Sequence, residues 1–335
     1  RDDNLFLCEI NNLTSFHLDG CDAYKRIWPQ WKTADRIEDV PFIHVGLFKR
    51  MQLKTDVASL TFRRSAHSSS TSGLSSSIAL DQKSSDLQTE SVKKILSDFL
   101  GTERKPLLIL DSVKSLRRRG ELSARVAAAM SLRPLSLDIF FLLNDPEDPK
   151  SMNWEGLRES LLNGDHFLVY GFSWMLWLAW GKCEFPAEIK ELLQTKKIFF
   201  VHSGGWKRLE SIKVNHHEFD QEILRHVGEN SKVVDFYGLV EQMGIIYPLC
   251  EHGARHVPVW ADVIIRDTYT LKPLAEEPGQ IQLLNTLAHG APYHSVLTED
   301  VGRLIPGDCP CGRKGRRFEL IGRVPKAEIR GCANV

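Results

Sequence analysis

Neither sign of charge dominates this chain: 43 basic residues face 43 acidic ones. A polyanionic partner, whether nucleic acid or an anionic membrane surface, has no electrostatic footprint to find. The densest basic run, Arg117-Arg118-Arg119, is short and reads as a solvated loop. Long apolar runs are missing too. The most apolar stretch, Phe167–Trp180, is about 14 residues and is interrupted by Gly171 and Ser173, short of the ~20 a spanning helix needs. No basic-then-apolar leader is present, and seven scattered cysteines make no secreted disulfide framework. We therefore expect a reducing, cytoplasmic location with no membrane span. Internal repeats, coiled coils and low-complexity tracts are absent as well. The sequence opens on Arg1 rather than Met and stops abruptly at Val335, so an incomplete native start or end is expected.

What is present is material for a large core, with 42% apolar and 9% aromatic residues over 335 positions. A helix over roughly 15–33 and an extended approach at 40–49 lead in. Strands are expected at Pro106–Asp111, Leu135–Leu143, His166–Gly171, Lys197–His202 and Lys232–Tyr237. Helices are expected between and beside them, at Ser85–Leu100, Glu121–Met130, Trp154–Asn163, Pro186–Gln194 and Glu218–Val227. Such alternation predicts a layered α/β architecture with largely parallel sheets. After Gly244 the pattern changes. Short strands at Val257–Arg266, Gly279–Leu287, Tyr293–Thr298 and Phe318–Gly322 are separated by Gly/Pro turns. We read an α/β core over 1–244 and a smaller β-rich part over 245–335.

The chemistry begins in His67–Ser77, where seven serines and a threonine surround Gly73. Hydroxyls and free backbone N–H groups suit a polyphosphate, held by Ser70, Thr71, Ser72 and Gly73. A flexible serine-rich linker is the bland reading. Gly204-Gly205-Trp206 offers a backbone surface against which a flat base can lie, or else an ordinary strand-to-helix turn. In Tyr237-Gly238-Leu239-Val240-Glu241 an aromatic can stack, and a carboxylate four residues on can hold Mg²⁺ beside a triphosphate. The competing reading of Glu241 is a solvated side chain after a turn. Asp300 suits a ribose diol, or a plain turn or cap.

Cys309-Pro310-Cys311 sets two thiols on one tight turn, and Cys250 with His256 lies at the front of the same β-rich part. Three Cys and one His make a tetrahedral zinc set, with His252 as the alternative fourth ligand. Buried cysteines without a metal are the competing reading. Cys332 lies near Lys326 and Arg330, cations that favour a thiolate able to attack carbonyls; a packed, inert thiol is the alternative. Phe167–Trp180 is either the lining of an acyl channel or, for most of its side chains, a buried helix of the core.

With these motifs in order, the chain resembles the acyl-protein synthetase (LuxE) family, and more distantly phenylacetate-CoA ligases and the wider adenylate-forming superfamily. The resemblance runs through Pro41–Lys49, Ser70–Gly73, Leu122–Arg125, His202–Lys207, Asp235–Gln242, Val263–Asp267, Leu297–Asp300, Cys309–Arg313 and Gly322–Cys332. It implies an adenylate-forming N-terminal-type domain. It also implies that a long-chain fatty acid and ATP, with Mg²⁺, form an acyl-adenylate whose acyl group passes to a cysteine and then to a reductase or other acyl-acceptor protein. Carried over by motif, Ser70–Gly73 hold phosphates, Gly204–Trp206 and Tyr237 frame adenine, and Glu241 binds Mg²⁺. Asp300 and Arg323 hold ribose, and Cys332 accepts the acyl group. Two departures stand out. Ser75-Ser76-Ser77 occupy the place of the superfamily's loop lysine, with Lys207 and Lys326 as candidate substitutes. The usual large mobile C-terminal domain is also expected to be lacking. A CoA ligase and a non-catalytic nucleotide- or acyl-binding scaffold are the alternative functions.

Overall fold

Apolar runs that a sheet buries on both faces carry no alternating pattern, and here they form parallel strands. The computed structural model describes residues 1–67, 76–117, 128–206 and 211–324. In chain order its strands are β1 (Ile43–His44), β2 (Phe62–His67), β3 (Ser77–Asp81), β4 (Lys105–Ile109) and β5 (Ser136–Phe141). Then come β6 (His166–Phe172), β7 (Lys197–Ser203), β8 (Lys232–Tyr237), β9 (Tyr247–Pro248) and β10 (Arg255–His256). The last are β11 (Ala261–Arg266), β12 (Pro273–Leu274), β13 (Gly279–Asn285), β14 (Ser295–Leu304) and β15 (Arg317–Arg323).

One sheet runs β5-β4-β6-β7-β8-β9, parallel except that β9 returns antiparallel to β8. Helices that cross back over it begin at side-chain caps: Asp81 for Gln82–Leu100, Asn153 for Trp154–Leu162 and Asn215 for His216–Leu224. The first of these buries Val92, Ile95, Leu96, Phe99 and Leu100 in the largest core, together with β4, β6 and β7. A second sheet runs β10-β15-β14-β13-β11-β12 with antiparallel neighbours, and β1 joins its β14 in parallel. The helix Asp3–Gly20 packs on this second sheet, placing Phe6 and Ile10 with Ile264 and Leu284. A separate antiparallel hairpin, β2-β3, flanks the serine loop.

The five expected parallel strands are present within two or three residues of their expected ends. Several expectations need correction. The leading helix starts at Asp3, not near residue 15, and stops at Cys21, where the backbone becomes extended; a short helix, Asp22–Ile27, follows. Only Ile43–His44 of the extended approach is a strand. Val45–Lys49 then turns into a 3₁₀ helix because the His44 ring accepts the Gly46 N–H at 3.1 Å. Phe167–Trp180 is not one buried helix: it is β6 as far as Phe172, and a helix that widens into a π turn at Trp177–Gly181 follows. Of the helix expected at Glu121–Met130, residues 121–127 lie outside the described residues, and 128–130 are helical.

Candidate functional site

The carboxyl ends of β7 and β8 deliver two of the glycine motifs to one edge of the parallel sheet, where α/β folds gather ligands. Gly204 follows β7 with φ +81°, a left-handed conformation that a side chain resists. Its carbonyl accepts the Ser173 hydroxyl at 2.8 Å. Among the described residues a Cβ at Gly205 would meet nothing within 4 Å, which leaves the backbone there open to a flat group. Trp206 is buried and packs edge-on against Trp177 and Phe219, at 5.4 and 5.9 Å between ring centres. Its ring is part of the core beneath the turn.

Tyr237 ends β8, and Asp300 and Arg323 are direct partners in the β14–β15 register. The Tyr237 hydroxyl donates to Asp300 Oδ2 at 2.7 Å, and Arg323 Nε lies 3.4 Å from Asp300 Oδ1. This contact bridges the two sheets. Asp300 is 8% exposed, and burial pushes its carboxyl above the usual range, with Tyr237 and Arg323 pulling the other way. Burial and Asp300 together hold the Tyr237 phenol well above its ordinary value, so it remains a donor. The Arg323 side chain is 73% exposed, and its ion pair is correspondingly weak.

Glu241 sits in the 3₁₀ turn Val240–Gln242 just after Gly238 and is buried. Gln242 fixes this turn by donating to the Tyr293 carbonyl at 2.6 Å and accepting from Asn285 at 2.9 Å. Burial raises the Glu241 carboxyl, while a hydrogen bond from Ser76 and the charge of Lys49 lower it. A buried carboxylate short of compensating charge, beside a serine hydroxyl, is a donor set that fits a hard divalent cation. Lys49 was not singled out from the sequence. Only the close of the Pro41–Lys49 motif signalled it, and β1 pairing with β14 is what brings it here.

A second cluster forms where β10 meets β15. Cys250 Sγ and Cys309 Sγ are 3.8 Å apart, and Cys311 Sγ is 3.3 Å from His256 Nε2. All four ligand atoms lie within 4.8 Å of one another. A tetrahedron with Zn–S of about 2.3 Å and Zn–N of about 2.0 Å has edges of about 3.8 Å between sulfurs and about 3.5 Å from sulfur to nitrogen. The donor set therefore fits zinc in type and in spacing, and His256 rather than His252 is the histidine in the group. Arg313 anchors the Cys309–Cys311 turn: it pairs with Asp98 at 2.5 Å and lies 3.9 Å over the Phe99 ring, at the end of the Gln82–Leu100 helix. Ser70, Thr71, Ser72, Gly73, Lys207, Lys326, Arg330 and Cys332 lie outside the described residues.

The fold has counterparts among solved structures. An open conformation of 2-hydroxyisobutyryl-CoA ligase, in complex with 2-HIB-AMP and CoA, superimposes with a TM-score of 0.68 at 14% identity, over 98% of this chain and 76% of that one. ATP-bound MatB from Rhodopseudomonas palustris gives a TM-score of 0.50 at 14% identity, over 77% of this chain and 47% of that one. At such identities the likeness concerns the fold alone, and that fold is the α/β adenylate-forming type. In sequence, the long-chain-fatty-acid–luciferin-component ligase of Aliivibrio fischeri is 26% identical over 141 residues, covering 41% of this chain and only 36% of that ligase. A family match extends much further, from residue 3 to residue 335. The chain belongs to the acyl-protein synthetase, LuxE, family.

Proposed function

We propose that the protein is an ATP-dependent acyl-protein synthetase. It activates a long-chain fatty acid as its acyl-adenylate and then takes the acyl group onto Cys332. The observation that carries this reading is the Tyr237–Asp300 hydrogen bond across the two sheets, with Arg323 in register and Glu241–Ser76 nearby. A pair of carboxylates, an aromatic and the start of a hydroxyl-rich loop are what a nucleotide's ribose, base and phosphates call for.

In the first step a fatty-acid carboxylate oxygen attacks the α-phosphorus of ATP and pyrophosphate leaves. Gly204 and Gly205 give the base an open backbone, Asp300 and Arg323 orient the ribose, and Ser70–Gly73 donate to the phosphates. Glu241 would hold Mg²⁺, which supplies charge compensation to the phosphates when bound. The charge of Lys49 acts on Glu241, and Lys49 takes the place of the loop lysine that Ser75-Ser76-Ser77 do not provide. In the second step the Cys332 thiolate attacks the acyl carbonyl carbon and AMP leaves, with Lys326 favouring the thiolate. The acyl-protein then serves an acyl-acceptor partner. Cys250, His256, Cys309 and Cys311 hold one structural zinc, closing its shell with four protein ligands.

Fatty-acid-dependent exchange of radiolabelled pyrophosphate into ATP tests the first step, and we expect it with Mg²⁺ present. A folded protein that exchanges with no chain length tried does not do this chemistry. Accumulation of acyl-CoA without protein labelling would assign the second step to a CoA ligase instead.

A further inference from the structure

The opposite, amino-terminal edge of the parallel sheet carries a feature that the adenylation reading leaves unused. Leu107 of β4, Leu168 of β6, Phe199 of β7 and Lys232 of β8 are in register across four adjacent strands. Lys105 and Lys197 lie two residues before this row on β4 and β7, so alternation puts them on the same face. All three ammonium groups converge on one ring: Lys105, Lys197 and Lys232 Nζ lie 5.0, 5.2 and 5.4 Å from the centre of Phe199. Phe199 itself is buried, and so is Lys105.

These charges are not neutralised from within. Among the described residues no carboxylate comes within 4.0 Å of any of the three, although the adjacent Lys196 pairs with Asp165 at 2.9 Å. Among the described residues Lys105 donates only to the carbonyls of Leu100 and Glu103, at 3.5 and 2.8 Å. Glu103 and Glu251 act on the cluster from farther off, and Arg313 adds a further positive charge beside Lys232. Arg313 already has Asp98 and Glu251 as partners. Desolvation and mutual repulsion both hold the Lys105 and Lys232 amines below their ordinary range. One ring quadrupole cannot compensate three cations. A compact oxyanion with two negative charges removes the repulsion and accepts from all three ammonium groups at once.

We propose that Lys105, Lys197 and Lys232 form a binding site for a phosphate-type dianion at the amino edge of the parallel sheet. It lies about 20 Å along β7 from the glycine turn, so it is distinct from the nucleotide site and does not rest on the ligase reading.

The test is a calorimetric titration of the full chain with inorganic phosphate, at ionic strength fixed with sodium chloride. Reductive methylation of lysines, mapped by mass spectrometry with and without phosphate, locates the bound ion. We expect binding that sulfate displaces, and protection of Lys197 and Lys232. Affinity should fall about tenfold or more in Lys197→Gln/Lys232→Gln and return in Lys197→Arg/Lys232→Arg, with fatty-acid-dependent exchange retained. Absence of binding overturns the proposal. So does unchanged affinity in the glutamine variant, or methylation of Lys197 and Lys232 that phosphate leaves unaffected.

Discussion

Tyr237 and Asp300 show how much one hydrogen bond can be asked to do. The phenol fixes the carboxylate from one side, and the exposed Arg323 only steadies the other. In Tyr237→Phe a buried carboxylate loses its short partner. We expect unfolding free energy to drop by about 1–3 kcal/mol in urea, the usual cost of orphaning a buried acceptor. If Asp300 holds the ribose as proposed, KM for ATP in the exchange assay should rise about tenfold with a smaller change in kcat, because the lost contact would act on binding before the chemistry begins. Wild-type KM in this variant would remove Asp300 from the ribose site. Lys49 makes a related point about single residues. Its charge bears on Glu241 only because a two-residue strand pairs with a segment about 250 positions away, and no local sequence signal reports such pairing.

Between elements, two contacts carry measurable weight. The helix Asp3–Gly20 meets the second sheet through stacked rings, His17 on His294 at 4.8 Å between centres. His17 Nδ1 lies 2.7 Å from the Thr55 hydroxyl, and His294 Nε2 lies 2.9 Å from that of Thr14. Burial holds both imidazoles neutral, His294 being lowered to about 3 and His17 well below its usual value. The unfolded chain takes up protons near pH 6.5 and the folded one does not. Stability is therefore full above about pH 6.5 and falls as pH drops towards 3, by up to about 1.4 kcal/mol per pH unit for each histidine. Urea midpoints that do not move between neutral pH and pH 5 would contradict this. The second contact is the Cys309–Cys311 turn, which lies beside the paired β10 and β15 and is tied through Arg313 to the Gln82–Leu100 helix. We expect about one zinc per chain by elemental analysis, and its loss in Cys309→Ser/Cys311→Ser with a lower melting midpoint. Zinc retained in that variant would refute the site. Elements of this kind were unevenly legible. β6, β7 and β8 stood out because apolar runs lie between clear breakers. The β2-β3 hairpin did not, since Phe62-Arg63-Arg64-Ser65-Ala66-His67 has neither the alternation nor the apolar content of a strand and is held by pairing with β3. The proposed zinc ligands, with His256 preferred to His252, were readable as residue types at a spacing; that their four ligand atoms lie within 4.8 Å of one another needed the fold.

For the molecule as a whole, the question is where the acyl group resides after activation. If Cys332 takes it, Cys332→Ser should leave pyrophosphate exchange near wild type, because adenylation precedes transfer. Hydroxylamine-sensitive labelling by radioactive fatty acid should vanish. Undiminished thioester labelling in that variant would assign the acceptor elsewhere, with Cys183 and Cys21 the next to examine. The pairing of β1 with β14, and the seating of the first helix on β11 and β13, have a consequence for biosynthesis. The segment made early cannot bury its apolar face until residues near 300 have left the ribosome. At about 5–20 residues per second that wait is on the order of 10–50 s. The β4–β8 layer, complete by residue 237, has no such delay. The nascent chain therefore leaves the Phe6 and Ile10 face without its partner strands for tens of seconds. For the last ~60 residues of that wait, about 3–12 s, it does so beside a parallel sheet whose strands have all been made, a client surface for a ribosome-associated chaperone.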